Sequence, residues 1–224
     1  MKTLWNRIAR VGRSTWNNWP QRAYERPSYR RRLEAVQRHL SDVLDRAPDG
    51  EVTIISPCAG DGRDVIDVVG AHPRRTDVAA WLVEMDAKSV AAGIALARGA
   101  GLQKTVRFLH ADATSYATYR DIPGADVVVL CGVWGHVPPG ERSEVVSACR
   151  ALCRVGGHVI WTRGVRLGME RFERIRAAFS GPEWQEVRNS ITPDRKWAVA
   201  TNRLTTPSQR PTSGAIFHFQ TAVG

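Results

Sequence analysis

Several features are scarce in this sequence, and each scarcity removes a class of protein. No apolar run approaches the roughly 20 residues that cross a bilayer. No short apolar core with a cleavage site follows the basic N-terminus, so no membrane span and a cytoplasmic location are expected. The four cysteines, Cys58, Cys131, Cys149 and Cys153, lack paired-ligand spacing. Cys149 and Cys153, one helical turn apart, are weak grounds for a metal. No metal is expected, and all four read as reduced packing residues. No glycine follows three residues after Gly62, where Val65 stands, which counts against a dinucleotide fold binding NAD or FAD. No Gly-Lys-Ser/Thr follows that turn either, which excludes a Walker-type phosphate loop. Internal repeats and low-complexity tracts are missing.

What is present is an ordinary globular composition over 224 residues, enough for one sizeable core. The net charge of +10 suggests nucleic acid at first, but its distribution is uneven. Residues 1–32 carry nine Lys and Arg against the single acid Glu25, and the rest is nearly balanced. The basicity belongs to an arm. Within it, Leu4, Ile8 and Val11 form one stripe of a short amphipathic helix over 3–19, with Trp16 and Trp19 beside them. A lid packing on the main body is the favoured reading; a membrane-surface helix, a targeting peptide and an RNA-binding arm are the alternatives. Pro20 ends this helix, and Pro27 opens another over 28–46 with Leu33, Val36, Leu40, Val43 and Leu44 on one face. The expected division is a basic helical arm over 1–48 and one α/β domain over 49–224.

From residue 51 strands and helices alternate. Strands are expected at 52–57, 78–84, 104–110, 125–131 and 156–163, and helices at 62–70, 87–99, 138–154 and 167–180. The strand runs are apolar almost throughout, as in Val127-Val128-Val129-Leu130, which burial on both faces of a parallel sheet requires. Trp184 to Ile191 and Trp197 to Leu204 read as a hairpin adding antiparallel edge strands, and Ala215 to Phe219 as a last strand or packed tail.

Ligands of open α/β sheets bind beyond the C-terminal strand ends, and four stations stand there. The first is Ser56-Pro57-Cys58-Ala59-Gly60-Asp61-Gly62-Arg63-Asp64, a strand, a tight glycine turn and a helix start. Backbone can approach a ligand there, and the new helix aims unpaired N–H groups at it. The second is Glu84-Met85-Asp86, where an acid can accept from ribose hydroxyls. The third is His110-Ala111-Asp112-Ala113-Thr114, where Asp112 suits an adenine amine or caps a short helix. His110, ending its strand, reads as structural. The fourth is Cys131-Gly132-Val133-Trp134-Gly135-His136, a loop at the mouth of the expected crevice.

In this order the stations resemble those of class I S-adenosylmethionine-dependent methyltransferases, from about residue 51 to the C-terminus. The acid-x-Gly-x-Gly-x-Gly pattern of that family is matched at Ser56, Cys58, Gly60 and Gly62, with serine for the acid and cysteine for the first glycine. Asp61 or Asp64 is the candidate replacement for the missing acid. Leu82-Val83-Glu84-Met85-Asp86 and Val159-Ile160-Trp161-Thr162-Arg163 are similar to a subgroup of bacterial methyltransferases of unassigned substrate, as are Trp19, Tyr24, Ser28 and Arg32-Leu33 ahead of the first strand. The resemblance implies a Rossmann-like, seven-stranded, mostly parallel sheet with helices on both faces and an antiparallel last strand. It implies S-adenosyl-L-methionine as cofactor, bound by Ser56, Cys58, Ala59, Gly60, Asp61, Gly62, Asp64, Glu84, Met85, Asp112, Ala113, Cys131, Gly132 and Val133.

A sulfonium methyl donor needs mainly a positioned nucleophile and a dry site. A base is needed only for an acceptor that must lose a proton, and His136 is the candidate; a loop histidine beside the cofactor is the other reading. Trp16, Trp19, Tyr24 and Trp134 are candidate aromatic walls for the acceptor, core packing being the default for each singly. Arg163 is a candidate fork for its carboxylate or phosphate, or a partner of a helix acid. A small-molecule acceptor is the leading expectation. A nucleic-acid methyltransferase is second, weakened by the lack of an Asn/Asp-Pro-Pro-aromatic pattern after the fourth strand. A non-catalytic nucleotide-binding protein is third.

Overall fold

The computed structural model describes residues 26–219, so the expected helix over 3–19 and the candidates Trp16, Trp19 and Tyr24 lie outside the described residues. Helix α1 (Pro27–Arg46) starts with proline at its first turn, where a missing N–H costs nothing, and stops as Ala47 turns extended. Its apolar stripe, Val36, Leu40, Val43 and Leu44, packs into one cluster with Val52, Ile54, Val65 and Val69. The 27–46 part of the expected arm is therefore built into the core of the domain.

Strand β1 (Val52–Pro57) leads to α2 (Arg63–Ala71), β2 (Val78–Glu84) to α3 (Ala87–Gly99), and β3 (Val106–His110) to a short 3₁₀ turn, Tyr116–Tyr119. Strand β4 (Ala125–Leu130), α4 (Arg142–Leu152), β5 (Cys153–Gly164), α5 (Glu170–Ala178) and the hairpin β6 (Trp184–Ile191) and β7 (Trp197–Leu204) complete the chain. The seven strands form one sheet in the order β3-β2-β1-β4-β5-β7-β6. Strand β7 runs antiparallel to both its neighbours, and the other strand pairs are parallel. The order reverses between β1 and β4, and the crevice above that switch point is where such sheets take ligands.

Alternate side chains of each strand feed two cores. Ile54, Val127, Val129 and Ile160 face α1 and α2, whereas Ile55, Val128, Leu130, Val159 and Trp161 face the layer holding α4 and α5. Helices on both faces are why these strands tolerate no polar alternation.

The boundaries around α4 and β5 differ from expectation. The helix expected over 138–154 is a 3₁₀ turn, Pro139–Glu141, followed by α4, and Cys153 already belongs to β5. The chain enters the sheet early because Ala125 pairs with Cys153 and then Val127 with His158, a bulge in the ladder. Gly157 makes it feasible, since a Cβ there would lie 2.5 Å from the Ala125 carbonyl oxygen. The last segment is a packed tail with one bridge, Ser115 to Ala215, and buried Ile216 and Phe217. No helix among the described residues is long and apolar enough to cross a membrane.

Candidate active site at the switch point

Pro57 closes β1, and three of the next five residues take left-handed conformations: Cys58 (φ +54°), Gly60 (φ +59°) and Gly62 (φ +68°). The chain curls back over the sheet, held by Ala59 N–H donating to the Val83 carbonyl at 3.0 Å. The two glycines serve different ends. At Gly62 a Cβ would lie 2.2 Å from Leu82 Cδ2 and 2.9 Å from Phe108 Cζ, so helix α2 can start this close to β2 only without a side chain. At Gly60 nothing stands within 4 Å of the Cβ position, leaving an open face of bare backbone.

Glu84 ties this turn to the end of β2. Its Oε2 accepts from Gly60 N–H at 2.8 Å, and its Oε1 accepts from the backbone N–H groups of Met85 and Asp86, each at 2.8 Å. One carboxylate thus fixes both loops on either side of the crevice. Asp86 caps α3 by accepting from Ser89 N–H at 2.9 Å, and Met85 is exposed at the rim. At the end of β3, Asp112 Oδ1 accepts from the Thr114 amide at 2.8 Å and its hydroxyl at 2.7 Å, a local turn; the 3₁₀ turn that follows starts at Tyr116 after Ser115, so Asp112 is not its helix cap. Ala113 is buried, and its carbonyl accepts from the Tyr119 hydroxyl. His110 Nε2 lies 3.0 Å from the Met85 carbonyl, a brace between β3 and the β2 loop.

Ser56 and Cys58, the two departures from the family pattern, behave differently. Ser56 is 2% exposed and donates across the sheet to the Val129 carbonyl at 3.3 Å, so its hydroxyl is spent inside the fold. Cys58 is half-buried at the turn, and burial, then the Glu84 and Asp112 charges, push its thiol well above the usual range. Burial pushes Cys131 up to about 12. Neither thiol is ionised near neutrality, which removes both as nucleophiles. Among the described residues no cluster of His, Cys, Asp and Glu could hold a metal.

The two aspartates offered as replacements for the missing acid also diverge. Asp61 is bound bidentately by the Arg63 guanidinium, with Nε at 2.9 Å. Asp64, by contrast, keeps a buried Oδ1 with no hydrogen-bond partner. Burial raises its carboxyl pKa to about 6, and the Arg32 charge pulls the other way. Arg32, from α1, is 6% exposed, lies over the ring of Trp197 at 5.3 Å, and brings Nη1 within 3.4 Å of the Cβ position of Gly132. It thereby joins α1 to the ends of β1 and β4. Reasoning from strand ends missed it, although the Ser28 and Arg32-Leu33 pattern was its signal.

After β4, Gly132 (φ +79°) donates its N–H to Thr162 Oγ1 at 3.3 Å, and Val133 is buried. Trp134 is core rather than a substrate wall. It is 2% exposed and meets Trp161 and Phe179 edge-on at 6.0 and 6.2 Å. An aromatic flanked by glycines reads as a loop tip in sequence, but the chain turns it under the sheet edge. His136 is exposed on this loop, and its backbone N–H donates to the Val133 carbonyl at 2.9 Å. Partial desolvation, then the Arg163 charge, lowers its pKa below 6.5, so the imidazole is neutral at pH 7. Arg163, next to last in β5, is half-buried, with Nη1 3.1 Å from the Cβ position of Gly135.

The loops after β1, β2, β3 and β4 thus bring to one end of the sheet an open glycine face and the Glu84 carboxylate, with the unpartnered Asp64 Oδ1 in the first turn of α2. This is the fold of class I S-adenosylmethionine-dependent methyltransferases. Magnesium protoporphyrin IX methyltransferase from Synechocystis PCC 6803, solved with bound cofactor, superposes with a TM-score of 0.60 at 16% identity over 91% of this chain and 92% of that one. A methyltransferase from Geobacter sulfurreducens in complex with S-adenosyl-L-homocysteine gives 0.57 at 14% identity, over 76% and 90% of the two chains. A ribosomal protein L11 methylase from Lactobacillus delbrueckii subsp. bulgaricus gives 0.56 at 12% identity, over 78% and 80%. No curated protein matches the chain by sequence. The family model described as "Putative methyltransferase" matches residues 25–168, and the chain belongs to that family.

Proposed function

We propose that this protein transfers the methyl group of S-adenosylmethionine to a small-molecule acceptor by in-line displacement. The observation that carries the reading is the open backbone face at Gly60, held beside the Glu84 carboxylate at the switch point of the sheet. The residues present fit the cofactor. Glu84 retains acceptor capacity for ribose hydroxyls beyond its backbone bonds. Asp112 and Met85 would hold the cofactor's adenine end, and Cys131, Gly132 and Val133 would stand beside its sulfonium. Asp64 Oδ1, buried and unpartnered, suits the methionine ammonium in place of the acid that Ser56 does not supply.

The cofactor supplies an electrophilic methyl group with a good leaving group. The chain supplies position, exclusion of water and, for an acceptor holding a proton, a base. His136 is neutral at pH 7, exposed on the loop after β4, and suited to take that proton at an imidazole nitrogen. Residues 1–25 serve as the cover. Support comes from α1, where Tyr29 and Arg32, near its N-terminus, lie against Trp197, the first residue of β7. Trp16, Trp19 and Tyr24 are then the aromatic contacts to the acceptor.

Incubating the full chain with methyl-labelled cofactor and candidate acceptors tests the reading. Label transferred to a low-molecular-mass product supports it. Label transferred only to RNA supports the nucleic-acid alternative, and cofactor binding without turnover on either supports the non-catalytic one.

A further inference from the structure

Three arginines come from elements that begin or end at the C-terminal side of the sheet, and the charges of two of them act on the third. Arg163 is next to last in β5, Arg142 is the first residue of α4, and Arg171 lies in the first turn of α5. The first turns of α4 and α5 stand at the C-terminal end of the parallel strands, beside the loop that carries His136. Arg163 presses its guanidinium against that loop, 3.1 Å from the Cβ position of Gly135. Arg142 buries its Nε without any hydrogen-bond partner.

The neighbouring acids are committed elsewhere. Glu141 accepts from the His218 backbone N–H at 2.8 Å, Glu170 pairs with Arg174, and Glu173 pairs with Arg176. The arginines even repel: the Arg171 and Arg142 charges both hold Arg163 below its ordinary pKa, after burial. Like charges held together at a crevice with unsatisfied donors cost stability unless an anion completes them. Two helix N-termini add positive potential on the same side.

We propose that the methyl acceptor carries a dianionic group, a phosphate monoester or a pair of adjacent carboxylates, which Arg142, Arg163 and Arg171 bind beside the β4 loop. The inference rests on the methyltransferase reading, since it assigns the acceptor subsite of that reaction. Planar guanidinium forks bind such groups bidentately, fixing orientation as well as position. The same charges exclude a cationic acceptor, and so separate this site from one that methylates an ammonium-bearing molecule.

Calorimetry on the full chain saturated with S-adenosylhomocysteine tests the assignment, with phenyl phosphate, phthalate and neutral phenol as probes. Phenyl phosphate or phthalate should bind and phenol should not; which of the two binds tighter distinguishes phosphate from dicarboxylate. Arg163→Gln, and the exposed and therefore fold-tolerant Arg171→Glu, should each weaken the dianion about tenfold or more. Affinity for S-adenosylhomocysteine should stay within about twofold, the arginines lying outside its proposed contacts. A wild-type chain that binds S-adenosylhomocysteine but neither dianion at millimolar concentration overturns the proposal and leaves the methyltransferase reading standing. So does dianion affinity unchanged from wild type in both variants, or binding of a short single-stranded RNA in place of the small dianions. Failure of S-adenosylhomocysteine itself to bind the wild type overturns both readings.

Discussion

Asp64 makes the free protein less stable as pH rises through the range between the carboxyl's unfolded and folded pKa values. The unfolded side chain titrates near ~3.9, whereas burial holds the folded one at about 6. Between those values the native state binds more protons than the unfolded state, so stability falls with rising pH and stays lowered above about 6. Below both values the group is protonated in both states and contributes nothing. A gap of about two units at ~1.36 kcal/mol each gives a penalty of order 3 kcal/mol at pH 7 to 8. Asp64→Asn removes it, less the cost of leaving one amide atom unsatisfied where Oδ1 now is, so a net gain of ~1–3 kcal/mol is expected. Urea unfolding of wild type and variant from pH 4 to pH 8 measures this. The difference between them isolates the group, because Asp126, Glu186 and Asp194, whose pKa values are also shifted, are common to both. The gain should grow between pH 4 and 6 and then level. A difference that does not vary with pH would show that Asp64 ionises normally and that its burial is not what distinguishes the site. The same substitution should weaken S-adenosylhomocysteine, since the orphaned oxygen is assigned to the methionine ammonium.

Other substitutions probe the remaining parts. Glu84→Gln loses charged hydrogen bonds worth ~1.5–3 kcal/mol each, so cofactor affinity should drop roughly 10-fold to 100-fold by calorimetry with the fold retained. Gly62→Ala forces a Cβ into Leu82 at a left-handed backbone position, and should cost about 2–4 kcal/mol in urea denaturation, against little for Gly60→Ala beyond the backbone term. His136→Gln should lower kcat by roughly 10²-fold or more with cofactor affinity intact. In the wild type the rate should have levelled off by about pH 7, because the lowered pKa leaves the imidazole already neutral there.

Much of the scaffold was legible because burial leaves a direct trace. Strands covered on both faces must be apolar almost throughout, so β1, β2 and β4 stood out, and the glycine turn followed from the abrupt end of β1 at Pro57. Side-chain direction was less legible. Trp134 sits among glycines in a loop, and only the three-dimensional course shows that it turns under Trp161 and Phe179. Ser56 carries the family's acid position, yet its depth inside the sheet depends on β4 beside it. Relations between distant segments were the least legible. Arg32 reaches Gly132, and its charge acts on Asp64, from a helix that reads in sequence as part of an outlying arm. Arg142, Arg163 and Arg171 come from three elements, and each alone reads as an ordinary surface charge. Early entry of Cys153 into β5 depends on a bulge that no local pattern announces.

Isothermal titration of the full chain with S-adenosylhomocysteine decides whether the crevice above β1 and β4 holds an adenosyl cofactor. Saturable binding at one site is expected, lost or strongly weakened in Glu84→Ala while Arg171→Glu binds like wild type. No heat at millimolar ligand, or equal binding by wild type and Glu84→Ala, would contradict it.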